Sequence, residues 1–149
     1  MANLVEHKKA HFNFEILDTY EGGIELLGSE VKSIRASHAT LESAHAQVRG
    51  GEIFIVGMQV QSYQSEKVIQ NYDPLRTRKV LLHKKEIKEI ESRLQTKGLT
   101  VIPLAVYTAG RRLKIKIAIV RGKKLFDKRE TIKKRDVDRE LRRTLKTRI

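Results

Sequence analysis

Leu113, Ile115, Ile117 and Ile119 alternate with Arg112, Lys114 and Lys116, the period-two pattern of a strand with one face on a core and the other in water. The β-branched run Leu99–Tyr107 precedes it, and Thr108-Ala109-Gly110 predicts a hairpin joining that run to a strand over Arg111–Val120. A second hairpin is predicted from Ala44–Val48 and Glu52–Val56 around Arg49-Gly50-Gly51. Phe12, Phe14 and Ile16 open a further strand, and Tyr20-Glu21-Gly22-Gly23 reads as the turn into Gly23–Leu27, because paired glycines supply positive φ cheaply.

Two segments switch to helical spacing. Ile87, Ile90 and Leu94 follow +3, +4 steps within His83–Lys97, Glu89 and Arg93 stand four apart, and Gly98 is placed to end the helix. Ser29–Arg35 has apolar residues three apart, with Ser29 as the predicted N-cap of a short helix. Ser62–Lys79 is polar, carries the turn Asn71-Tyr72-Asp73-Pro74, and reads as a long loop or ribbon of functional interest. The predicted fold is mainly β: a closed or nearly closed antiparallel six-stranded barrel of the oligonucleotide-binding (OB) type, with two or three helices.

Charge adds a tail to this picture. Of 31 Lys and Arg in the 149-residue chain, thirteen lie in Arg121–Ile149, against five of its 18 Asp and Glu. Val137, Leu141 and Leu145 make only a narrow apolar stripe there, so the segment is predicted to be disordered alone and to fold against a polyanion. A net charge of +13 is the footprint of a nucleic-acid binder, since each phosphate contact releases condensed counterions. No stretch approaches the roughly 18 apolar residues that cross a bilayer, and Met1–Glu6 lacks a signal-peptide core. Cysteine is absent, which excludes disulfides and thiolate metal sites. The expectation is one domain over residues 1–121, a tail over 122–149, and a cytoplasmic setting.

Signals for catalysis are missing. Among His7, His11, His38, His45 and His83 there is no H-E-x-x-H, and His7 with His11 lacks a third ligand. No catalytic residue, metal or cofactor is expected. The basic strand face says more: Arg112, Lys114 and Lys116 recur about every 6.6–6.8 Å, close to the spacing of phosphates along one nucleic-acid strand. Charge on that face also suits an edge strand that avoids aggregation. Asp73-Pro74-Leu75-Arg76-Thr77-Arg78-Lys79 places three cations in four residues after a proline turn, and Val80-Leu81-Leu82 offers an apolar contact for an exposed base. Glu21 is a carboxylate able to accept hydrogen bonds from base amino groups, though a glutamate in a turn more often simply faces solvent. Phe126, the one aromatic of the tail, is suited to stacking.

Three ordered stretches, Gly28–Arg35 (GSEVKSIR), Asp73–His83 (DPLRTRKVLLH) and Gly122–Glu130 (GKKLFDKRE), resemble signature segments of the bacterial SsrA-binding protein family (small protein B, SmpB). The resemblance runs from about Lys8 to the end and implies an OB-like barrel with a free C-terminal tail. It also implies a role in ribosome rescue by trans-translation, with transfer-messenger RNA bound through its tRNA-like domain near the elbow. The implied RNA contacts are Glu21, Leu81 and Lys114, with Lys8, Lys9, Gly22, Lys32, Arg35 and Lys116, and the loop residues Arg76, Thr77, Arg78 and Lys79. The implied ribosome contacts in the tail are Gly122, Lys123, Lys124, Phe126, Asp127, Lys128 and Arg129, probing the decoding centre and the empty mRNA channel. Implied partners are transfer-messenger RNA, the ribosome with its small-subunit rRNA, and elongation factor Tu on the alanylated RNA, with the protein itself a monomer. His7, His11 and Phe12 depart from the Asn, Arg and His common in the family, and Phe126 replaces a His or Tyr, keeping stacking but not a ring hydrogen bond. A structural ribosomal protein or an RNA-modifying enzyme is the competing reading; the second lacks a catalytic constellation.

Overall fold

The computed structural model describes residues 3–62 and 72–122. In chain order these form β1 (Asn3–Glu6), α1 (Ala10–Asn13), β2 (Phe14–Ile24), α2 (Gly28–Arg35), β3 (Ala39–Thr40), β4 (His45–Arg49), β5 (Glu52–Val56), β6 (Gln59–Val60), β7 (Arg78–Leu81), α3 (Lys84–Arg93), β8 (Leu99–Ala109) and β9 (Arg112–Gly122). Six antiparallel strands close into a ring in the order β8-β4-β5-β7-β2-β9 and back to β8. The long β8 makes closure possible, since one of its edges carries β9 while the other carries β4 at Val101 and β1 around Val106. β3 and β6 form a separate two-stranded sheet.

Inside the ring lies the principal core. Leu113, Ile115, Ile117 and Ile119 point into it as their alternation predicts, joined by Ile53 and Ile55 of β5, Ile34 of α2, and Ile87 and Ile90 of α3. A smaller cluster of Ala10, Ile102, Ala118 and Val120 packs on the outer side, against Phe14 and Ile16. The last part of β9 is therefore buried on both faces, and the cationic face ends at Lys116. Register shifts at Ile16/Asp18 in β2 and at Pro103/Ala105 in β8 bracket this change; Pro103 lacks the N–H that a regular ladder would use.

The hairpin around Arg49-Gly50-Gly51 forms as expected, with Gly50 and Gly51 at φ +58° and +77°, as a tight turn of this hand requires. The predicted turn at Gly22-Gly23 does not form. Both glycines lie inside β2, which runs unbroken for 11 residues. A Cβ on Gly22 would stand 2.6 Å from the Leu81 carbonyl oxygen and from Leu82 Cδ2, so this glycine permits a close approach of backbone to β7.

α2 begins at Gly28 with Leu27, not Ser29, as its cap residue, and the Leu27 N–H donates to Glu30 (2.8 Å). α3 is shorter than predicted, because Gln95 and Thr96 already turn back on Ser92 and Arg93 before Gly98 at φ +88°. Glu89 and Arg93 do not pair; Arg93 reaches Asp18 on β2 (3.2 Å). Arg78 and Lys79 belong to β7 and not to the preceding loop. Gly122 ends β9 opposite Phe14, one residue past the expected domain boundary.

Candidate nucleic-acid interface

Pairing register lines up one outward row across the ring. Leu81 of β7 opposes Gly23 of β2, Gly23 opposes Lys114 of β9, and Lys114 opposes Tyr107 of β8. Directly opposed residues share a face. With strands about 4.8 Å apart, Leu81 and Lys114 stand roughly 10 Å from each other. Gly23 puts no side chain between them, and the Leu81 side chain leans over it, 3.5 Å from where a Gly23 Cβ would stand. Leu81 is a large apolar side chain left 48% exposed on this surface.

A second row runs beside the first. Glu21 opposes Lys116, and Lys116 opposes Ala105. Glu21 also acts across β9: burial, then hydrogen bonding and the charge of Glu21, raise the pKa of the Tyr107 hydroxyl. The carboxylate thus stands between two lysines and a buried phenol. Arg112 extends the cations toward the β8–β9 turn. There Arg35, at the end of α2, donates to the Arg111 carbonyl (3.3 Å), and exposed Lys32 lies one turn earlier on the helix. On the β7 side Lys79 pairs with Glu52 (3.0 Å). The surface offers cations at phosphate-like spacing, an apolar contact and a single acceptor group, the combination that reads an RNA backbone together with an exposed base.

The structure therefore brings Glu21, Leu81, Lys114 and Lys116 onto one face, with Arg35 and Lys32 at its end. Lys8 and Lys9 are exposed in the turn between β1 and α1. Thr77 is exposed and Arg76 partly so. Two expectations need correction. Gly22 is buried and turned toward Leu82, so it shapes the β2–β7 seam and offers no side of its own to RNA. Arg78 is fully buried and paired with Glu30, leaving its guanidinium unavailable to phosphate. Of the expected tail contacts only Gly122 is described; Lys123, Lys124, Phe126, Asp127, Lys128 and Arg129 lie outside the described residues, as does the Val137–Leu145 stripe.

The Glu30 network is what the sequence reading missed. Burial pushes the Glu30 carboxyl up, but hydrogen bonds from Arg76, Arg78 and the Leu27 amide outweigh it and hold the pKa at about 2. The available signal was an acidic residue in the first turn of a helix whose neighbours Val31 and Ile34 are apolar. Tyr107 was also missed, hidden in an apolar strand. His7 is buried with its ring edge-to-face against Phe14 and its Nδ1 without a hydrogen-bond partner. It precedes α1, so His7 and His11 are not a turn apart on one helix. Among the described residues no group of three His, Cys, Asp or Glu could hold a metal ion, and no described helix is long and apolar enough to cross a membrane.

Comparison with known proteins converges on one family. The family model described as SmpB protein matches residues 4–147. The SsrA-binding protein of Ligilactobacillus salivarius is 48% identical over 143 residues, covering 96% of this chain and 92% of its own length. That of Thermosynechococcus vestitus is 44% identical over 145 residues, covering 97% and 95%. A solved structure, "tmRNA-SmpB: a journey to the center of the bacterial ribosome", superposes with a TM-score of 0.68 at 38% identity, over 80% of this chain and 84% of that one.

Proposed function

The chain belongs to the SmpB protein family, and from that premise we propose that it binds the tRNA-like domain of transfer-messenger RNA and brings that RNA to stalled ribosomes for trans-translation. It acts by binding, as the name of its relatives indicates, and not by catalysis. The observation that carries this reading is the paired-strand surface in which Leu81, lying over Gly23, and Lys114 form one row beside Glu21 and Lys116. Lysines set the backbone in register, Leu81 covers an unstacked base, and Glu21 accepts from a base amino group.

The remaining parts of the proposal follow the family's division of labour. The body holds the RNA, and the basic segment after Gly122 enters the empty mRNA channel and decoding centre, becoming helical among rRNA phosphates. Such a segment recovers its ordering entropy only where polyanion surrounds it, so binding reports a vacant channel. The protein works as a cytoplasmic monomer, and elongation factor Tu accompanies the alanylated RNA.

Filter binding of the full chain to transfer-messenger RNA and to an elongator tRNA, across a salt series, tests the reading. Transfer-messenger RNA should bind more tightly at every salt concentration. Lys114→Ala should weaken binding and flatten the log–log salt slope by about 1, the signature of one lost phosphate contact. Equal affinity for both RNAs would overturn the assignment.

A further inference from the structure

Glu30 projects from the first turn of α2 into the protein, and its side chain has no exposed surface. Two arginines, a tyrosine and a backbone amide converge on it. Oε1 accepts from the Leu27 N–H (2.8 Å) and Arg76 Nη2 (2.5 Å). Oε2 accepts from Arg78 Nε (2.8 Å), Arg78 Nη2 and the Tyr72 hydroxyl (3.0 Å). Arg78 uses its other donors on the carbonyls of Met58 (2.7 Å), Arg76 (2.9 Å) and Pro74 (3.3 Å). The Asp73–Thr77 loop thus hangs from one carboxylate on a distant element.

Stability alone does not explain this arrangement. A buried ion pair is commonly no more stabilising than apolar side chains of similar volume, because desolvation offsets the attraction. What the charges add is geometry. Arg78 sets Nε and Nη2 on one carboxylate oxygen and spends its remaining donors on three carbonyls, which fixes the backbone on three sides. The count of charges matters too: Arg78 neutralises Glu30, so Arg76 is a surplus cation. Its side chain is 35% exposed; among the described residues its hydrogen bonds go to Glu30 and, at 3.5 Å from Nη1, to the Thr77 carbonyl, while its Nε is buried without a partner.

We propose that Glu30, acting through Arg78 and Arg76, is a positioning residue for RNA binding: it does not touch RNA, and it fixes the Asp73–Thr77 loop and the start of β7 so that Arg76 and Leu81 meet the RNA together. The proposal rests on the reading of the β7–β2–β9 face as the RNA surface. Arg78 lies three residues before Leu81 on the same short strand, so the anchor that holds one sets the direction of the other.

The experiment compares native full chain with the double variant Glu30→Met/Arg78→Met and the single variant Glu30→Gln. Affinities for transfer-messenger RNA and for a single-stranded homopolymer RNA are measured well below each variant's melting temperature and corrected to the folded fraction. Native protein must first bind transfer-messenger RNA selectively; if it does not, the functional reading itself fails. With that established, each folded variant should lose about tenfold in specific affinity, the equivalent of one charge-assisted contact, and less than about twofold on the homopolymer, whose binding needs cations but no fixed loop. Native-like specific affinity in either folded variant overturns the proposal. Failure of both variants to fold assigns the network to folding and overturns it equally.

Discussion

A carboxylate without exposed surface keeps its charge only when donors replace the water it has lost. Glu30 has those donors, and they carry its pKa from the ordinary 4.5 down to about 2. A pKa lower in the folded than in the unfolded chain gives stability that is fully present above about 4.5 and is lost as pH falls toward about 2, because only the unfolded chain takes up the proton in that window. Glu30→Gln removes that linkage. Its melting temperature should lie furthest below native above pH 5, and the gap should narrow steadily between about pH 4.5 and 2. A gap of constant size through this window, followed by circular dichroism, would show that Glu30 does not titrate with folding. The same residue shows what a sequence conceals: GSEVKSIR announces a helix, but nothing in it says that Glu30 has Arg78 for a partner 48 residues later.

At the scale of elements, β2 and β7 meet along a seam set by glycine. Gly22→Ala would push a methyl against the Leu81 carbonyl and Leu82, and because the carbonyl is backbone the strands themselves must shift. The expected loss is about 1–3 kcal/mol, read from the urea midpoint. Gly28→Ala is the control, since nothing lies within 4 Å of a Cβ there and alanine favours the first turn of α2; it should be neutral or stabilising by up to about 1 kcal/mol. Equal losses at the two positions would show that no close approach exists at Gly22. The contrast with Gly50-Gly51 explains which elements the sequence made legible. Both pairs carry the same local signal, but Gly50 and Gly51 turn at positive φ, whereas Gly22 and Gly23 are claimed by a strand some 60 residues away. The alternation of β9, the β4–β5 and β8–β9 hairpins and the Ile87–Ile90 stripe needed only neighbours in sequence. α1, β1 and the small β3–β6 sheet were invisible because they are short and have meaning only through distant partners.

For the whole molecule, closure of the ring decides what can be removed. β9 pairs with β2 along one edge and β8 along the other up to Arg121 and Gly122, so both edges of the strand that closes the ring are used within the described residues. The chain's charge divides at nearly the same place, with thirteen of its 31 cations in Arg121–Ile149. A stop after Gly122 therefore removes no described core contact and none of Leu81, Glu21, Lys114 or Lys116. Melting temperature should fall by no more than a few degrees, about what 1 kcal/mol represents in a body of this size. Affinity for the tRNA-like domain at moderate salt should stay within about threefold of native, since the cations of the ring face are untouched. Tagging of nascent chains on stalled ribosomes, assayed in a reconstituted translation system, should be abolished. Electrostatics sharpens the distinction: if the segment mainly supplied affinity for transfer-messenger RNA, its loss would flatten the salt slope of that binding by several units. A steep slope retained alongside absent tagging assigns the body to the RNA and the basic segment to the ribosome, and a collapsed slope would overturn that division.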